Sequence, residues 1–168
     1  MTRAPLAVAL VALSLSTPAF AQSAHPIAGV STTDFGHGAG PLGPTSLAVG
    51  FDAASGSLQI AVDGPEDGSG SIWQHALLYG ISPDIEMALP SPPWTTDAVL
   101  YFVPMDALGP FDGKESSIPI PPNPALVGVT LQLQALPIYA MIVVDSATID
   151  PPLLPSLGMT QEVRVTFL

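Results

Sequence analysis

An all-β fold, an antiparallel sandwich of jelly-roll type with about eight or nine strands, follows from three observations. Twenty prolines and fifteen glycines are spread along 168 residues, and no stretch of about twelve residues keeps the 3.6-residue apolar period of a helix. Short runs with a two-residue apolar period recur instead, as pleated strands require. Clusters of Gly, Pro, Asp and Ser bound these runs at spacings of roughly 8–15 residues, which is turn chemistry at sandwich intervals.

The runs come in order. Ser46 to Phe51 and Ser57 to Val62 flank Asp52-Ala53-Ala54-Ser55-Gly56, a hairpin whose loop needs its glycine. Leu58, Ile60 and Val62 are expected on the core, with Gln59 and Ala61 outside. Ile72 to Ile81 is too apolar to be half-exposed and reads as a central strand, which puts Trp73 in the core. Ala98 to Met105 reads the same way until Pro104 ends it.

In Ser117-Ile118-Pro119-Ile120-Pro121 both prolines remove N–H groups from the same side, so this segment is expected at a sheet edge, closed outward and paired inward through its isoleucines. Pro122 and Pro124 then set the turn into Val127 to Leu136. That strand would turn Val127, Val129, Leu131, Leu133 and Ala135 inward and Thr130, Gln132 and Gln134 outward. Tyr139 to Asp145 is a further apolar strand, and Gln161 to Leu168 sets Val163, Val165 and Phe167 against Glu162, Arg164 and Thr166 on the other face. With one edge closed by prolines, assembly is expected to use another, either the segment from Gln22 or the final strand.

Residues 1–21 have the form of a cleaved signal peptide. Arg3 precedes an apolar stretch from Leu6 to Leu13, and Ala19-Phe20-Ala21 makes an A-x-A cleavage site. The stretch is short of the roughly 20 residues that span a bilayer. Residues 22–168 are then expected as one domain of a secreted, extracellular or cell-surface protein, with no membrane insertion after cleavage. There is no cysteine, so packing rather than disulfides must hold it. Charged residues are only 10% and hydrophobic ones 48%, a balance that buries a core rather than leaving a disordered chain.

Beyond the leader only Lys114 and Arg164 oppose fourteen acidic residues. Such a field repels phosphate backbones, which excludes nucleic acid, and attracts cations where carboxylates converge. Asp63, Glu66 and Asp67, on the glycine-rich turn Asp63 to Ser71, are the candidate Ca²⁺ ligands; the alternative is a solvated turn. The spacing is not that of an EF-hand, since Pro65 takes its third position and no Glu closes the loop. Apart from that, no cofactor is implied.

His25, His37 and His75 are not at metal-binding spacings and read as loop or strand-surface residues. No G-x-S-x-G elbow and no thiol supply a nucleophile, and the scattered acids nominate no catalytic pair, so the expectation is a protein that is not an enzyme. Trp94, between prolines and threonines in a loop, is the candidate glycan contact, either stacked on a sugar or folded back on the protein.

Four motifs in order carry a resemblance. They are FGHGAGPLGPTSLAV (Phe35 to Val49), ALLYGIS (Ala76 to Ser82), IPIPPNPALVGVTLQLQAL (Ile118 to Leu136) and QEVRVTF (Gln161 to Phe167). Together they resemble the small β-domains of exported proteins of planctomycetes and related bacteria, whose pattern runs F-G-x-G-C-x-G, A-L-L-x-G-x-S, I-P-N-x-P-x-L-x-G with a following Q-A, and a last strand. The resemblance implies an exported β-domain and brings no activity. It also implies a cysteine where this chain has Ala39, with a partner before the strand near Ala98. Where that pairing is structural, its absence transfers about 2–4 kcal/mol to packing or assembly.

The functional expectation is therefore an exported, non-catalytic structural or adhesive protein that self-assembles or meets other surface proteins and glycans. The alternatives are an extracellular glycan- or Ca²⁺-binding module and, third, a hydrolase using acidic residues.

Overall fold

The computed structural model describes residues 25–67, 70–90, 94, 95, 97–142 and 153–168. The expected leader lies outside them, as does the end of the run 139–145. Among the described residues the fold is all-β and its sheets are antiparallel, with eleven strands against the eight or nine expected.

The largest sheet has the order β1 (Val30–Phe35), β11 (Glu162–Phe167), β9 (Thr130–Ile142), β4 (Gly70–Gly80) and β7 (Asp106–Asp112), with β10 (Leu153–Leu157) sharing one side of β9 with β11. A second sheet joins β2 (Ser46–Asp52), β3 (Ser57–Asp63) and β8 (Glu115–Pro119). β5 (Asp84–Ala88) and β6 (Val99–Phe102) form a separate pair. The strands that the sequence left unseen are β1, β5, β7 and β10, all short or largely exposed where their side chains are described, and so without an apolar alternation.

The main core lies between the first two sheets. Leu47, Leu58, Ile60 and Val62 meet Ile72, Leu77, Leu133, Ala135, Tyr139, Val163, Val165 and Phe167. The expected faces of β3 and β11 are those observed, with Gln59 and Ala61 exposed. The hairpin loop also follows the reading: Gly56 has φ +64°, Asp52 accepts the Ala54 N–H, and Asp52 accepts the Ser55 hydroxyl proton at 2.6 Å.

Several expectations are corrected on β4 and β9. From Thr130 to Ile142 the two runs expected as separate strands form one strand that passes through Pro137. β11 pairs with β9 only as far as Leu133 and β10 only from Ile138, so Pro137 sits where the chain crosses between them. Its missing N–H therefore breaks no ladder bond. Val127 is exposed because the 3-10 turn Pro124–Leu126 and Gly128 (φ +83°) delay the strand to Thr130. Trp73 is 59% exposed rather than core: a bulge between Ile72 and Gln74 rephases β4 and turns the indole out.

Gln132 and Gln134 are buried instead of outward, because the second face of the large sheet is covered as well. There β5, β6 and their loop pack Ile85, Leu89, Trp94, Ala98 and Leu100 against Leu78, Leu136 and Met159. Gln134 joins this layer to the sheet. Its Oε1 accepts the Tyr101 N–H at 2.9 Å, and its Nε2 donates to the carbonyls of Val99 and Thr160 at 3.0 and 2.9 Å. Gly36 (φ +74°) lets β1 end against the Tyr101 ring, whose hydroxyl accepts the His37 N–H.

The proline segment behaves as expected. β8 is an edge, Ile118 and Ile120 pack on the core, and the Ile120 N–H donates inward to Gly56. The final strand is not an edge, since β11 lies between β1 and β9. Replacing Gln134 by Ala strands three backbone groups in a dry layer, and the expected loss is on the order of 3–5 kcal/mol, read as a lowered urea midpoint with the slope kept.

Candidate functional site

The turn after β3 brings Asp63 and Glu66 together around a lysine, not around an empty centre. The Lys114 ammonium lies 3.4 Å from Asp63 Oδ1 and 3.3 Å from Glu66 Oε2. Burial works against its charge, but the hydrogen bonds and charges of Glu66 and then Asp63 outweigh it, so its pKa lies above the usual lysine value. Glu66 Oε1 accepts the Ile72 N–H at 3.0 Å, which ties the turn to β4. Asp67 closes the turn through backbone bonds with Gly70. A Ca²⁺ ion here has to displace the ammonium from Asp63 and Glu66. No group of three or more His, Cys, Asp or Glu is arranged for a metal among the described residues.

Beneath the same turn lies Tyr139, fully buried, with a hydroxyl that has no partner among the described residues and abuts Gly64. Burial first, then the charges of Glu66 and Asp63, push its pKa up to about 12.

Trp94 takes the folded-back alternative: it is half-buried in the outer core, and its neighbour Thr95 donates its N–H to Leu157 at 3.0 Å. The exposed tryptophan is Trp73. The histidines each bond a different element. His75 is buried rather than on a surface, with Nδ1 2.8 Å from the Gly113 carbonyl and Nε2 3.0 Å from Ser116 Oγ, so it clamps the entry to β8. His25 reaches the Ile120 carbonyl, and exposed His37 reaches the Tyr101 hydroxyl.

A polar cluster that the sequence did not nominate lies on the second face of the large sheet. Arg164 stands opposite Gln132 in the β11–β9 register and opposite Thr33 in β1. Its Nε donates to Glu162 Oε1 and its Nη2 to Asp84 Oδ1, each at 2.7 Å. Gln132 Nε2 donates to the same Asp84 oxygen at 3.1 Å. The Phe35 ring lies 5.1 Å from the guanidinium carbon. The bonds to Glu162 and then Asp84 raise the Arg164 pKa above its already high value, which keeps the cation fixed.

Glu162 is completely buried, and its Oε2, like Gln132 Oε1, has no hydrogen-bond partner among the described residues. The cluster opens into a pocket of about 230 Å³ lined by Ile81, Ser82, Asp84, Thr130, Gln132 and Arg164. Sequence reading missed it because Asp84 is remote from the other members along the chain and β5 had no strand signal. The one available clue was that Arg164 is one of only two basic residues after residue 21 and shares a strand face with Glu162.

No family model matches this chain, and neither a curated protein nor a solved structure matches it.

Tyr139 supplies a test of how dry the turn is. A tyrosine of ordinary pKa near 10 in the unfolded chain and about 12 in the folded one leaves stability flat below pH 10. Between pH 10 and 12 the unfolded state loses the proton first, so stability falls with rising pH, by roughly 2–3 kcal/mol. Tyr139→Phe is expected to remove this contribution and, with no hydroxyl partner to lose, to be neutral or stabilising at pH 7, as read by denaturation across the pH range.

Proposed function

We propose that this chain is a non-catalytic structural or adhesive module that works outside the cell or at its surface, and that it joins a second copy of itself along β1. The observation that carries this reading is the treatment of the sheet edges. β8 carries Pro119, is followed by Pro121, and has no donor to offer outward at either position. β7 contains Pro110 and is bulged against β4 between His75 and Leu77. The outer side of β2 is capped at Leu47 by the Gln161 amide, which accepts its N–H at 3.0 Å and donates to its carbonyl at 3.1 Å. β1 has neither a proline nor a capping side chain among the described residues.

The register of β1 favours a two-fold pair. Phe167 directs both its N–H and its carbonyl toward the β9 side, so alternation along β11 turns Thr166 and Arg164 toward β1. Ser31 and Thr33 face them, which leaves the backbone groups of Val30, Thr32 and Asp34 pointing outward. Antiparallel pairing of two copies about Thr32 sets Val30 opposite Asp34 and avoids two like charges face to face. Main-chain bonds then continue one sheet into the next.

A net charge of −11 opposes approach of two copies, so assembly is expected to strengthen with salt, as screening shortens from about 10 Å at 0.1 M to about 3 Å at 1 M. Light scattering on a concentration series should give dimers or larger species that grow with ionic strength. Thr32→Pro removes an outward donor without touching the β11 ladder and is expected to leave a folded monomer. A wild-type chain that stays monomeric at millimolar concentration and high salt, or a Thr32→Pro chain that assembles equally well, refutes the reading.

A further inference from the structure

We propose that the pocket between the Ile81 to Asp84 turn and the start of β9 binds a neutral polyhydroxylated ligand, a single sugar unit, independently of any assembly through β1. Three observations carry this. The first is an unanswered acceptor: Gln132 lines the pocket, is only 6% exposed, and its Oε1 receives no hydrogen bond from any described residue. A buried amide oxygen in that state is stabilised by a ligand or solvent donor. A sugar hydroxyl supplies one.

The second is a fixed donor and acceptor pair at the wall. Of the five guanidinium N–H groups of Arg164, one is held by Glu162 and one by Asp84, and the other three have no acceptor among the described residues. Asp84 Oδ1 is held from two sides, by Arg164 and Gln132, while its Oδ2 makes no hydrogen bond among the described residues. Neighbouring hydroxyls of a pyranose, each both donor and acceptor, match such a rigid pair, and little ordering remains to be done on binding. Ser82 and Thr130 add hydroxyls at the rim, and exposed Ile81 offers an apolar contact for a C–H face.

The third is charge. The Arg164 guanidinium cation already occupies Asp84 Oδ1 and Glu162 Oε1, each at 2.7 Å, so a metal ion or an ammonium has to displace it. Asp84 and the buried Glu162 together outweigh that cation, and the chain carries −11 overall, so an anion is disfavoured as well. A neutral ligand that works through hydrogen bonds answers the open Gln132 oxygen and leaves the ion pairs in place. The volume, about 230 Å³, suits one sugar ring rather than a chain of them.

The test is a ¹⁵N-labelled amide titration of the full chain with the methyl glycosides of glucose, galactose and mannose, with inorganic phosphate and Ca²⁺ as further arms. The expected result is saturable shifts for at least one glycoside, with a Kd on the order of 1 mM, centred on Ser82, Asp84, Thr130, Gln132 and Arg164. An array of immobilised neutral oligosaccharides then separates a free sugar from a terminal unit of a glycan, either of which upholds the site. Gln132→Met is expected to weaken binding at least tenfold. Should that chain not fold, Thr130→Val, an exposed change of equal shape, is expected to weaken it several-fold. The proposal is overturned by no shifts with any glycoside, by shifts centred on Trp73 or Trp94 instead, by binding unchanged in the folded variants, or by phosphate or Ca²⁺ occupying these residues in place of sugar.

Discussion

The carboxamide of Gln134 allows β9 to be covered on both faces. A strand between two layers ordinarily carries apolar side chains up and down, because backbone groups arriving from a covering loop need partners that an aliphatic core cannot provide. Here one amide provides an acceptor for Tyr101 and a donor for Val99 in the covering layer, and a second donor for Thr160 beside β11. β6 can then lie on the outer face of the sheet, and Trp94, Leu100 and Met159 can close a second core around it. The inner core is conventional by comparison, a sandwich of aliphatic side chains with Tyr139 and Phe167 among them.

The same outer layer creates the polar pocket. Once the hairpin of β5 and β6 is docked, Asp84 at its start comes within reach of Arg164 and Gln132, residues that would otherwise project into water. Glu162 is then enclosed with a single guanidinium bond, and the seam becomes a mixture of paired charges and unanswered oxygens. Fully satisfied polar networks rigidify a layer, and partly satisfied ones leave buried groups open to a ligand or solvent donor. The Gln134 end of the seam is of the first kind and the Gln132 end of the second.

With no disulfide and a strong negative charge, the chain manages its edges by local means. Prolines blunt β8, a bulge and a proline interrupt β7, and a glutamine amide occupies β2. The two basic residues of the described chain each sit between two carboxylates, Lys114 at Asp63 and Glu66 and Arg164 at Asp84 and Glu162. The half-exposed pairs among them add little to stability but fix the positions of the loops that carry them, whereas the buried Glu162 depends on its guanidinium partner.

The sequence by itself determined the all-β class, the hairpin of β2 and β3, the closed edge at Pro119 and Pro121, and the inward faces of β3 and β11, because each rests on neighbours within a few residues: a two-residue period, a glycine at positive φ, a missing N–H. Local pattern also marked the acidic turn at Asp63, though not that Lys114 would occupy it. Tertiary structure alone decided the rest. Trp73 left the core because a bulge rephased its strand, and Trp94 took the folded-back one of its two alternatives because a covering layer took in its loop. Gln132 and Gln134 read as solvent-facing until a hairpin from elsewhere in the chain covered them. Periodicity reports which residues share a face; what lies over that face is set by contacts between distant segments, and so is the pocket those contacts build.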